Sequence, residues 1–268
     1  MKKYHKDTKV FGTKEWASKN FNFINGCIHD CKYCYSKSMA IRFKRKTPHN
    51  WKIEDVNHKI LQTSFKRIEG RIMFPSSHDI SPENLTHSIT VLRNILSEDN
   101  HVLIVTKPHL EVVQRICEEF PDKKGNILFR FTIGSSNSEI LKFWEPGAPS
   151  FEERFESLKH AYESGFSTSI SSEPVLDSNT TELVEILLPY VTDSIWIGKP
   201  NKLIARMKVN GVRDSESIRR AEELESSLSE KWALSLFDLY KDNPKLKWKE
   251  SMKKILNIEV PTQIGLDI

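Results

Sequence analysis

The sequence predicts an α/β fold: an open, partial (β/α)6 barrel followed by a C-terminal helical extension. Two observations predict it. Between residues 21 and 200, six short apolar runs alternate with amphipathic, charged stretches, the pattern of parallel strands joined by crossover helices. After residue 200 the alternation stops and helical patterning takes over. Six units are too few for a closed eight-fold barrel. They make a three-quarter barrel, whose loops at the strand C-terminal ends form the site.

Each element has a local signature. FNFING (21–26) reads as a first strand that delivers a group of cysteines, and 35–46 as a helix with a basic face. RIMFP (71–75) is the second strand; Pro82 then opens a helix running to about Leu96, with Ser81 as its N-cap. HVLIVTK (101–107) is a buried strand, followed by a helix from His109 to about Glu119. ILFRFTI (127–133) is the fourth strand. A helix over 150–164 stops at Gly165, and FSTSISS (166–172) is the fifth strand. A helix over 179–189 and the strand SIWIG (194–198) complete the barrel. Residues 1–200 are therefore expected as the barrel with its lead-in. Residues 201–268 are expected as a helical cap on it, with Trp232, Phe237, Tyr240 and Trp248 as bulk.

Composition narrows the class. No segment reaches the ~20 apolar residues of a membrane span, and the basic, polar N-terminus is not a secretory signal. A cytoplasmic protein with no membrane partner is expected. The net charge of +4 is unevenly spread: residues 1–71 hold 17 Lys/Arg against 6 Asp/Glu, and residues 72–200 hold 10 against 19. The basic first quarter, densest at Arg42, Lys44, Arg45 and Lys46, fits either a polyanionic partner such as nucleic acid or a solvated helix face.

Three of the four cysteines fall in Cys27-Ile-His-Asp-Cys31-Lys-Tyr-Cys34, a C-x3-C-x2-C spacing just after a strand. In a reducing compartment such crowding means metal binding rather than crosslinking. Three thiolates on one loop can hold three corners of an iron–sulfur cubane and leave the fourth iron open. Structural zinc normally wants four ligands in pairs. Cys117 sits mid-helix as a small buried thiol, so His29 would have to complete a zinc set. A plain electron-transfer cluster would not need the barrel that follows.

This C-x3-C-x-aromatic-C pattern resembles the hallmark of the radical S-adenosylmethionine (SAM) superfamily. Over roughly residues 20–200 the chain is similar to spore photoproduct lyase and its uncharacterised relatives, through FRFTIGSSNSEILKFWEPGAPSFEERFESLKHAYESGF and ITVLRN…HVLIVTKPHL. The resemblance implies a [4Fe–4S] cluster on Cys27, Cys31 and Cys34. It also implies SAM as second cofactor, reductive SAM cleavage to a 5′-deoxyadenosyl radical, and a one-electron reductant such as flavodoxin or ferredoxin. Tyr33 then lies beside the adenine, Lys107 contacts the SAM carboxylate, Thr132 bonds the ribose, and the loop Ser76, Ser77, His78, Asp79 serves the methionine amino group. Two departures stand out. The second loop has no cysteine where the lyase has its hydrogen donor, and the fifth strand ends in Glu173 where the lyase has no acid. Lesion cleavage is therefore doubtful, and a nucleic-acid or nucleotide substrate competes with a small molecule or peptide. A nucleic-acid-binding module with a structural metal is the alternative from another class.

Other residues carry two readings each. Glu145, in WEPGAP, either fixes a turn or contacts the cofactor. Glu173 faces the barrel mouth as a catalytic or SAM-contacting acid, or makes a salt bridge. His78 is a proton relay or part of a loop cap. Arg130, in an apolar strand, needs a partner: Glu173, Glu145 or an anion in the cavity. Trp196 reads as barrel packing, and the aromatics from Tyr240 onward read as core.

Overall fold

The computed structural model describes residues 9–265. After β1 (Lys19–Asn20) the chain makes an antiparallel ribbon of β2 (Ile24–Asn25) and β3 (Asp55–Val56), with α1 (Tyr35–Arg42) between its strands and α2 (His58–Leu61) after it. Then β4 (Arg71–Met73), α3 (Leu85–Leu96), β5 (His101–Thr106), α4 (Leu110–Glu119), β6 (Ile127–Thr132), α5 (Ser138–Trp144), α6 (Phe151–Glu163), β7 (Ser167–Ser172), α7 (Thr180–Leu187) and β8 (Ile195–Ile197) alternate. The extension adds α8 (Leu203–Val209), α9 (Ser215–Ser227), α10 (Glu230–Tyr240), β9 (Leu246–Trp248) and α11 (Glu250–Leu256). Among the described residues, seven parallel strands form one sheet in the order β1-β4-β5-β6-β7-β8-β9.

Three expectations need correction. The first barrel strand is Lys19–Asn20; the expected FNFING strand instead enters the separate ribbon, since Phe21 N–H bonds the Met73 carbonyl and the chain then peels away to Val56. The basic helix ends at Arg42, because Lys44 adopts φ 57° and the amides of Arg45 and Lys46 fold back onto the Ala40 carbonyl. The tail is not purely helical: β9 extends the barrel sheet beside β8.

Strand alternation explains why the strands read as apolar runs, since both faces are covered. Ile72, Val102, Ile104, Phe129, Phe131, Ile170, Ile195 and Ile197 join the main core beneath the helices. Met73, Leu103, Leu128 and Trp196 belong to a second, inner cluster completed by Trp16 and Ala17 of the lead-in. Arg130 runs into this interior, where it meets neither Glu173 nor Glu145. Its partners among the described residues include Ser169 (2.9 Å), Ser194 and Asp193 (3.3 Å each), and its guanidinium lies over Trp16 and Trp196. Trp196 is thus a packing residue, fully buried. The extension buries Met207, Leu224, Leu236 and Met252 in the main core. Among the described residues no helix is long and apolar enough to cross a membrane.

Candidate active site

The cysteine loop is held from three sides. Gly26, at φ +127°, lies so close to the Ile53 carbonyl that a Cβ would come within 2.3 Å of it, and Cys27 N–H bonds the Trp51 carbonyl. The turn after α5 supports the loop's middle: Lys32 N–H bonds the Trp144 carbonyl and Gly147 N–H bonds the His29 carbonyl. From the extension, buried Asn210 donates to the carbonyls of Lys32 and Cys34, 3.0 Å each. Cys27, Cys31 and Cys34 are free thiols, the first two buried. Burial pushes all three thiols up, and Asp79 raises each further, so they ionise only against a cation.

Asp79 is the hub beside this loop. Its carboxylate accepts from Lys107 N–H (2.8 Å), Thr106 Oγ1 (3.1 Å) and His29 Nδ1 (2.9 Å), and Lys107 Nζ lies 3.6 Å away. Burial alone would raise Asp79, but Lys107 and His29 outweigh it and hold the carboxyl well below its usual range. Burial likewise opposes the Lys107 charge, yet Asp79, Cys31, Tyr33 and Glu145 keep it well above the lysine range. His29 uses its other nitrogen on His109 (3.0 Å). Cys27, His29 and Asp79 do offer donor atoms within 4.8 Å of one another. Both ring nitrogens of His29 are nevertheless engaged, which disfavours it as a fourth zinc ligand. Cys117 lies on α4 beside Ser164 and Lys124, and burial pushes it up to about 12. Among the described residues the free donors are thus the three thiols, since His29 and Asp79 are held by each other, His109 and Lys107, and this set fits a cubane with one open iron.

The other expected residues fall into three groups. Tyr33 is buried and donates its hydroxyl to Glu145, which is itself fully buried and paired with Arg154 at 2.5 Å. Arg154 also donates to the Thr132 carbonyl at 3.1 Å, tying this group to the end of β6. The Ser76 and Ser77 amides both donate to Asn22 Oδ1, 2.7 and 2.9 Å. Both serines line a cleft of about 530 Å³ with Asn22, Tyr35 and Arg45. Glu173 lines a second cavity, about 570 Å³, with Tyr33, Tyr35 and Lys249. His78, by contrast, is wedged against Phe23 and Phe74 and lines neither cavity; burial lowers it to about 4.

Sequence reasoning missed Asn22, Asn210, His109 and Tyr35. Only Tyr35 carried a signal: an aromatic immediately after the last cysteine, 59% exposed, where the two cavities meet. The basic stretch is also revised. Lys46 is buried, bonded to the Ile53 carbonyl (2.7 Å) and paired with Asp55 (2.6 Å), whereas Arg42, Lys44 and Arg45 are exposed. Its first eight residues lie outside the described residues.

The sequence profile of the radical SAM superfamily matches residues 21–188. The chain belongs to the radical SAM superfamily. Its enzymes use a [4Fe–4S] cluster and SAM. Two curated relatives are uncharacterised proteins: ORF301 of Acidianus two-tailed virus, 27% identical over 176 residues, and MJ0683 of Methanocaldococcus jannaschii, 29% identical over 172. These matches take in 61% and 63% of this chain and span only 57% and 63% of the relatives. Among solved structures, spore photoproduct lyase with bound AdoMet and dinucleoside spore photoproduct superposes with a TM-score of 0.58 at 16% identity, over 91% of this chain and 79% of that one. SuiB of Streptococcus suis bound to SAM gives 0.51 at 14%, over 89% and 52%. At these identities the likeness is one of fold, and it agrees with an open radical SAM barrel.

Proposed function

We propose that this chain is a SAM-cleaving radical enzyme whose cluster is held by Cys27, Cys31 and Cys34. The observation that carries this is the set of three free thiols on one braced loop at the barrel mouth, beside the buried Asp79–Lys107 pair. When bound, the cluster supplies the electron that splits SAM into methionine and a 5′-deoxyadenosyl radical, which takes a hydrogen atom from the substrate. The protein's part is to bind, orient and exclude water. Lys107, its charge secured by Asp79, is suited to the SAM carboxylate, and Tyr33 to the adenine. Thr132 is suited to the ribose, and Ser76 and Ser77 to the amino group. Glu145 is a positioning residue that acts through Tyr33. Glu173, beside Lys249 at 3.5 Å, is available to substrate or SAM. The electron comes from a one-electron carrier of the flavodoxin or ferredoxin kind.

For the substrate, we propose a nucleic acid or nucleotide. Exposed Tyr35 offers a flat face at the mouth, with Arg45 on the adjoining cleft. The absence of a cysteine from the loop 76–79 argues against the hydrogen-return step of the lyase. Anaerobic incubation of reduced, reconstituted protein with SAM and deuterated oligonucleotides tests both proposals. Release of 5′-deoxyadenosine supports the activity, and deuterium in it supports the substrate class. No release under any condition overturns the activity.

A further inference from the structure

The larger cavity at the mouth is lined by charged groups from three separate stretches: Lys14 and Glu15 of the lead-in, Glu173 after β7, and Lys199, Arg206, Lys249 and Glu250 from beyond β8. Each carboxylate among them has a lysine partner. Glu15 and Glu173 share Lys249, at 3.2 and 3.5 Å, and Glu250 pairs with Lys254. Arg206 and Lys199 are different. Both are half-buried, and neither has a side-chain hydrogen bond or ion pair to any described residue. The Arg206 guanidinium lies 5.3 Å from the centre of the Tyr35 ring.

Glu225 and Glu173 act on Lys199 and Arg206 only from beyond ion-pair distance, and a half-buried cation with no direct counter-charge is costly. Burial is the main cause that lowers both groups from their usual values. The cost is recovered when an anion arrives. A planar guanidinium matches the paired oxygens of a phosphate or carboxylate, and a neighbouring ammonium adds a point charge. The ring of Tyr35 limits the directions from which an anion can reach the fork.

We propose that Arg206 and Lys199 form a subsite for an oxyanion of the substrate, phosphate or carboxylate, with Tyr35 as its wall. The inference rests on the cavity being the substrate-holding mouth. It places substrate selection in the extension, on residues after β8, outside the segment that the superfamily profile matches.

Calorimetric titration of the reconstituted protein with inorganic phosphate and with acetate, each with and without SAM, tests it. Wild-type protein is expected to bind one of the two, phosphate marking a phosphate subsite and acetate a carboxylate one. Arg206→Gln is expected to weaken that ion about tenfold, in line with loss of a charge-assisted hydrogen bond. Lys199→Gln is expected to act in the same direction, and Arg206→Lys to restore part of the loss. Failure of wild-type protein to bind either ion overturns the subsite. So does a fall in SAM affinity in Arg206→Gln with oxyanion binding intact, which would give the cation to the cofactor's own carboxylate. Oxyanion binding in a protein that never releases 5′-deoxyadenosine supports the subsite and counts against the proposed activity, so the two claims can fail separately.

Discussion

The two sides of the barrel mouth differ in how their polar groups are satisfied. On the cysteine side, Asp79 accepts from a backbone amide, a hydroxyl and an imidazole, Glu145 is locked to Arg154 and Tyr33, and Asn22 holds the Ser76–Ser77 turn. On the far side, Arg206 and Lys199 line the cavity with no side-chain hydrogen bond or ion pair to any described residue, and the Arg206 guanidinium lies over the ring of the exposed Tyr35. A cofactor that is the same in every turnover suits a rigid, internally satisfied wall, because preorganised groups need no reorganisation when it binds. A surplus of charge, in contrast, defines what the substrate must bring.

The largest expected effect lies wholly on the cysteine side. Replacing Cys27, Cys31 or Cys34 with Ala is expected to abolish iron binding and the brown absorbance near ~400 nm of cysteine-ligated clusters. Cys117→Ala is expected to leave both intact. Iron loss in Cys117→Ala would make Cys117 a fourth ligand that occupies the iron SAM needs, and would break the contrast between the two sides.

Acid is expected to act next most strongly, and again on the cysteine side. His78 is buried and its folded-state value is lowered to about 4 from 6.5. A depressed value means that the unfolded chain takes up a proton the folded chain refuses. The associated stability is therefore complete above pH ~6.5 and lost as pH falls toward 4, up to about 3 kcal/mol. Chemical denaturation across this range should show the loss, and His78→Phe, which keeps a ring against Phe23 and Phe74, should flatten it. An unchanged pH profile in that variant would remove His78 from the account.

A smaller effect is expected for the proposed SAM contacts. Lys107→Ala and Thr132→Val should weaken SAM binding by ~1–3 kcal/mol each, more for the charged partner, while iron content stays constant. Equal SAM affinity in both variants and wild type would detach these residues from the cofactor. The smallest effect belongs to the outer basic surface. If nucleic acid binds there, reversing Arg42 and Arg45 should flatten the salt dependence of binding by up to about 0.9 log–log units per lost duplex phosphate contact. A slope that does not change would leave these arginines as a solvated face.

The barrel's middle was legible because it is periodic. The strands at 101–106, 127–132 and 167–172 are runs with a core on each side, and the capped helix at 151–163 begins at Ser150 and stops before Gly165, as the sequence indicates. The first strand and β9 were not legible. The first, KN, has no apolar residue, and β9, LKW, sits among lysines in a helical stretch, so sheet neighbours rather than propensity decide them. The cysteine loop was legible from spacing alone. Its support was not: Asn22 to Ser76 spans 54 positions and Asn210 to Cys34 spans 176, and no local pattern carries such pairings. Arg130 was misassigned for the same reason. Its need for a partner was evident, but Asp193, one of its partners, is brought in by sheet topology.

Lys249 has a consequence for how the chain matures. Its ammonium bridges Glu15 and Glu173 over the face of Trp16, while Val10 N–H bonds the Pro261 carbonyl and Gly265 N–H bonds the Lys14 carbonyl. The lead-in that fills the barrel is thus fastened by residues far downstream of it. On the ribosome, Trp16 emerges early but does not have both Trp196 and Lys249 to receive it until more than 200 further residues have been made. A chain truncated before residue 249 should therefore be cut by protease near residues 9–17, and a released chain that includes residue 265 should resist. The interior is closed in the order opposite to that in which its parts are synthesised.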